Sequence, residues 1–233
     1  MWYTKWTVLS WLRFPNLCRY VSRRHSDTLK TGYIIISYVT NGHMLSQSWE
    51  TFRHDKTRRT NLFHDLARIT LSLNKFPSPC IGSLTLDNKG TITLTNRPLT
   101  LHLQSLENEG IPTGISRKTT YSATDLYLLD LWTCHDNRIH YQPNSIHNEI
   151  DGRQQLAALT MMRATLHHFT HLNHRYGKFF LRLTDVHQSN IFVDDDGHIT
   201  SLIDLEWACA MPIELHLWTM AGRHRTRWTP WEI

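Results

Sequence analysis

The chain has 233 residues, 40% of them hydrophobic, and a formal charge of +5. That length and apolar share suit one medium domain with its own core, and nothing approaches the roughly 18 uninterrupted apolar residues of a membrane span. Cys18, Cys80, Cys134 and Cys209 are scattered, without a Cys-x-x-Cys pair; they give no disulfide framework and read as reduced thiols in a cytoplasmic protein.

Residues 1–30 show no clear period. Before Glu50 the only acid is Asp27, against Lys5, Arg13, Arg19, Arg23, Arg24 and Lys30, a faint echo of a mitochondrial presequence. Arg223, His224, Arg225 and Arg227 repeat the excess at the other end. Basic flanks of this kind suit phosphate, nucleic acid or a membrane surface, or are solvated tails. Tyr33 to Val39 is a buried-strand pattern closed by Thr40-Asn41-Gly42. A helix is predicted over 55–74, with Leu62, Leu66, Ile69 and Leu73 on a three-to-four spacing and Pro77 and Pro79 beyond it. Residues 81–86 and 91–95 flank Asp87-Asn88-Lys89-Gly90 and predict a hairpin. A helix follows from Asp125 with Leu126, Leu129 and Trp132, then a longer one over 153–172 with an apolar face of Leu156, Leu159, Met162, Leu166 and Phe169. That helix ends in a histidine-rich run in which His167 and His171 stand four apart, a spacing suited to a transition metal. No cysteine or His-Glu-x-x-His arrangement accompanies them, and protonatable residues near the negative end of a helix dipole are the plainer account.

The chemistry concentrates in residues 183–204. Ile191-Phe192-Val193 and residues 199–203 are apolar and rich in β-branched side chains, so both read as short strands around the turn Asp194-Asp195-Asp196-Gly197. Asn190 ends just before the first strand and Asp204 begins just after the second, so folding the hairpin brings them side by side. Asp185, on the preceding loop, reaches the same spot. An acid beside an amide and a carboxylate suits a general base next to a hard cation such as Mg²⁺. A calcium loop is excluded: aligning it on Gly197 puts Phe192 and Ile203 at positions that must be acidic.

Asp185-x-x-x-x-Asn190, a short hairpin, then Ile203-Asp204-Leu205-Glu206-Trp207-Ala208 resembles the catalytic segment of the aminoglycoside phosphotransferase and choline kinase-like family. Leu183 stands where that family usually has histidine, and the wording of the segment is similar to a fungal branch that tolerates leucine there. The resemblance covers roughly residues 32–212 by the order of elements. It implies an α+β, protein kinase-like fold, mostly the helical large lobe with β-hairpins and with most of the small lobe missing. It implies a basic remnant over 1–30, the last small-lobe strand and hinge over 31–45, a large lobe over 46–215 and a basic tail over 216–233. It further implies ATP and Mg²⁺ as cofactors, Asp185 as the base that accepts a substrate hydroxyl proton, and Asn190 and Asp204 as Mg²⁺ ligands. The backbone near Ser37 and Val39 would face the adenine edge.

Such an enzyme also needs a glycine-bearing turn and a Lys–Glu pair over the phosphates. Ahead of the hinge strand the lysines are Lys5 and Lys30, the only glycine is Gly32, and no glutamate precedes Glu50. The expectation is therefore a phosphotransferase acting on a small-molecule hydroxyl, impaired in this chain. A catalytically inactive pseudokinase serving as a binding scaffold and a basic nucleic-acid-binding protein are the alternatives.

Overall fold

The computed structural model describes residues 37–86 and 90–215. These residues hold five helices and three small antiparallel sheets, an α+β arrangement. The strands are β1 (His43–Met44), β2 (Pro77–Ser78), β3 (Ser83–Leu86), β4 (Ile92–Asn96), β5 (Phe179–Leu183), β6 (Ile191–Val193), β7 (Ile199–Leu202) and β8 (Ala208–Met211). The helices are α1 (Leu45–Phe52), α2 (Lys56–Leu73), α3 (Leu101–Asn108), α4 (Thr124–Tyr141) and α5 (Glu149–Phe169).

One sheet runs β1-β6-β7, a second β2-β5-β8, and β3 pairs with β4. The third joins the second where the Gly82 N–H donates to Ala210 O and the Ala210 N–H to Gly82 O, at 3.2 and 2.7 Å. A Cβ on Gly82 would stand 2.7 Å from Asn96 O, so only glycine fits this approach. The larger core gathers Ile81, Tyr127, Trp132, Phe179, Cys209 and Met211 between the helices and the second sheet. A smaller one, Leu45, Phe52, Leu62, Ile191 and Val193, fastens β6 to α1 and α2. Helix α2 starts at Asp55, whose carboxylate accepts from the N–H groups of Thr57 and Arg58 at 2.9 and 3.1 Å, satisfying donors that have no partner within the helix.

The predicted helix over 55–74 and the hairpins over 81–95 and 191–203 are present, although residues 87–89 of the first turn lie outside the described residues. Four expectations change. Ser37 to Val39 form no strand; the rest of that predicted element, like residues 1–30, lies outside the described residues. Helix α4 buries Tyr127, Leu128, Leu131 and Trp132, whereas Leu126 and Leu129 are 52% and 40% exposed, because apolar residues surround this helix and packing selects the face. Helix α5 starts at Glu149, where the Asn148 side chain accepts from the Asp151 N–H, and Leu156 lies on its exposed side. It stops at Phe169 with Thr170 as an extended cap, so His171 falls beyond the helix and does not share a helical face with His167. Among the described residues no three His, Cys, Asp or Glu side chains group as a metal site.

Candidate active site

Strands β5 and β8 pair from Phe180↔Met211 to Leu183↔Ala208, and β6 and β7 pair with Ile191 opposite Leu202. Two connections therefore cross between these sheets side by side, residues 184–190 and residues 203–207. Each end of the crossing is tied. The Thr184 N–H and hydroxyl both donate to Trp207 O, at 2.7 and 2.9 Å. The Ile203 N–H donates to Asn190 O at 3.0 Å, extending the β6–β7 ladder by one pair. Sheet pairing thus fixes the position of the two loops that carry Asp185 and Asp204.

Three of the residues singled out by the sequence border one space there. Asp185, Asn190 and Asp204 line one small cavity of about 10 Å³, together with Leu183, Val186 and Trp207, space for about one water-sized body. Asn190 is buried, and its Nδ2 donates to Asp185 O at 3.0 Å and more weakly to Asp185 Oδ2 at 3.4 Å. The amide's donor end is thereby committed, which turns its oxygen, a good ligand for a hard cation, away from Asp185. Asp204 is exposed, and it is the only non-glycine among the described residues with a positive φ, at 54°. A left-handed backbone on a side-chain-bearing residue is mildly strained, and such strain concentrates at functional sites.

The loop around Asp185 is anchored on both sides. Val186 packs against the smaller core, and the Ser46 N–H donates to Gln188 O at 3.0 Å. His187 Nε2 stands 3.7 Å from Asp185 Oδ1. The β6–β7 turn is docked as well. Asp194 accepts from the N–H groups of Asp196 and His198, at 3.1 and 2.8 Å, and Asn61 Nδ2 donates to Asp196 O at 2.9 Å. Asp65 of α2 accepts from the Ile199 N–H and pairs with His198, both at 3.0 Å. Burial pushes the Asp65 carboxyl up, but the Ile199 N–H and His198 outweigh it and hold it below the ordinary aspartate value.

A cleft of about 800 Å³ opens beside the small cavity, between residues 37–41 and residues 200–205. Ser37 and Val39 line it and so does Asp204, which faces both spaces. Strand β1 holds the opposite wall: His43 pairs with Val193, and Thr200 Oγ1 donates to Asn41 O at 2.9 Å. Gly42, at φ 86°, makes this possible, because a Cβ there would lie 2.5 Å from Val193 O.

No protein-family model, curated protein or solved structure matches this chain. The geometry of the site therefore carries the functional argument. Its donors are one carboxylate and one amide oxygen, and they suit Mg²⁺, which takes one or two protein oxygens and completes its shell with water and phosphate. Among the described residues, the cleft lining contains no lysine or arginine. Sequence reasoning did not find Thr184, His187, Asp65 or Gly42. Only Gly42 carried a signal, as the end of a turn; the others act through partners distant in sequence or through the fold of the loop.

Proposed function

We propose that the chain is an aminoglycoside phosphotransferase-like protein of the protein kinase-like fold, which binds ATP with Mg²⁺ and transfers the γ-phosphoryl group to a small-molecule hydroxyl. The observation that carries this reading is that Asp185, Asn190 and Asp204 line one small cavity beside a cleft of about 800 Å³, which Asp204 also lines. Asp185 is the base. It accepts the hydroxyl proton as the acceptor oxygen bonds to phosphorus and the nucleoside diphosphate leaves. Asn190 Oδ1 and the Asp204 carboxylate would hold Mg²⁺, which when bound neutralises charge on the phosphates. Residues 37–39 line the cleft, and their backbone would meet the ring edge of the nucleotide.

One observation favours a second reading, a pseudokinase that binds nucleotide without efficient turnover. The cleft lining lacks a cation among the described residues, and in phosphoryl transfer positioning and charge neutralisation supply nearly all of the rate. Losing one such contact costs about 2.7–4 kcal/mol of transition-state stabilisation. The expected outcome is MgATP binding with slow ATP consumption across a panel of hydroxyl acceptors, abolished in Asp185→Asn. Binding with no Asp185-dependent turnover selects the pseudokinase, and no MgATP binding by the folded chain overturns both.

A further inference from the structure

We infer that His187 is a positioning residue for Asp185, an inference that rests on Asp185 being the proton-accepting base. The Ser189 N–H donates to His187 Nδ1 at 3.2 Å. A backbone N–H can only donate, so Nδ1 is the unprotonated nitrogen and the ring carries its proton on Nε2. That nitrogen faces Asp185 Oδ1 at 3.7 Å. On the other flank, Asn190 Nδ2 reaches Asp185 Oδ2 at 3.4 Å, too long to fix the carboxylate plane alone. The final torsion of an aspartate is soft, so an unflanked Asp185 would rotate freely. The His187 backbone is itself held, because its carbonyl accepts the Asn190 N–H at 2.9 Å. The six-residue span from Asp185 to Asn190 thus folds so that a donor flanks each carboxylate oxygen. At 3.7 Å the His187 contact lies beyond direct hydrogen-bond range, so it orients Asp185 through the attraction of the Nε2–H dipole and by limiting rotation of the carboxylate. The role requires no change in the charge of His187.

The test uses the full chain in two arms. The first is nitrogen NMR of the histidine side chains at about pH 8, where an ordinary imidazole is neutral, with His187 assigned by its loss in His187→Gln. The expected pattern is an unprotonated Nδ1 and a protonated Nε2 whose resonance moves in Asp185→Asn. A protonated Nδ1, or no response to Asp185→Asn, overturns the inference. The second arm measures MgATP turnover with water as acceptor. His187→Leu should lower kcat about tenfold at unchanged KM, and His187→Gln, which keeps an N–H at similar reach, should restore most of it. Parent turnover with an equal kcat in His187→Leu overturns the positioning role alone. No turnover in the parent with water and with the panel of hydroxyl acceptors alike, with the nitrogen pattern intact, overturns the phosphotransfer reading and the role that rests on it.

Discussion

The ion pairs beside the larger core and the carboxylates at the crossing of residues 184–190 and 203–207 are held in different ways. Around the larger core several polar and charged groups are closely paired. Arg97, only 3% exposed, is held in a fork by Glu107, with one contact at 2.6 Å, and donates to Ile115 O at 2.8 Å. Tyr121 donates to Asp130 at 2.7 Å, and Arg175 to Asp125 at 3.0 Å. Above the smaller core, Asp204 is exposed on a left-handed backbone, and the contacts to the Asp185 carboxylate are 3.4 and 3.7 Å. Paired polar groups stabilise a fold, whereas loosely held oxygen ligands keep their capacity for something else. The contrast separates a tightly paired region from one whose carboxylates are loosely held.

The most direct way to break the first region is Glu107→Ala, which leaves a buried guanidinium without its counter-charge. Arg97 holds the Glu107 carboxyl below its ordinary value against the opposing effect of burial, as expected of a strong pair. The predicted loss is about 3–5 kcal/mol in urea unfolding, with the Mg²⁺ response of the remaining folded protein unchanged. Acid attacks the same region through a histidine stack. His102 and His135 lie with ring centroids 5.1 Å apart. Burial and then His102 push His135 down to about 4, and burial followed by Arg138 lowers His102. Their folded values lie below the unfolded ones, so the unfolded chain binds more protons in between. This stability is complete above about pH 6.5 and is lost as pH falls toward about 4, by up to about 3 kcal/mol for His135. Urea midpoints across that window should fall with pH in the parent and flatten in His135→Gln.

Two smaller effects sharpen the contrast from the other side. Gly197 has φ 86°, and a Cβ there would stand 2.8 Å from Arg58 O. Gly197→Ala should cost roughly 1–3 kcal/mol and speed amide exchange in β6 and β7 ahead of the helices. Asp204→Gly relieves the left-handed backbone instead. It should leave stability unchanged or raise it by up to about 1 kcal/mol while removing the Mg²⁺ response, the signature of a residue kept for function rather than fold. A marked loss of thermal stability in Asp204→Gly would place Asp204 with the structural residues.

What could be read from the sequence follows from how local each interaction is. The β6–β7 hairpin was legible because its β-branched strands and Asp-rich turn specify one another within a dozen residues. Its closure carries the meeting of Asn190 and Asp204, so that part of the site was legible too. Strands β5 and β8 were not, because Phe179–Leu183 opens on two adjacent phenylalanines and Ala208–Met211 has no β-branched residue; they become strands through long-range pairing, β5 between β2 and β8. Helix α4 was visible, but Leu126, Tyr127, Leu128 and Leu129 form an unbroken apolar run from which periodicity cannot choose a face. The histidine pair failed as a helical motif because Thr170 ends α5 between them. His187 was invisible as a positioning group, since its role depends on the turn that brings the Ser189 N–H to Nδ1.

The central claim is that Asn190 and Asp204 serve one cation at the nucleotide cleft. It is tested most directly by a double-mutant cycle of Asn190→Ala and Asp204→Ala, read as the Mg²⁺-dependent rise in melting temperature with ATP present. Binding to the folded state alone raises stability by RT ln(1 + [L]/Kd), and ligands of one ion cannot contribute independently. The account predicts that each single substitution removes most of the rise and the double substitution little more. Additive losses, or no Mg²⁺-dependent rise in the parent chain, would contradict it.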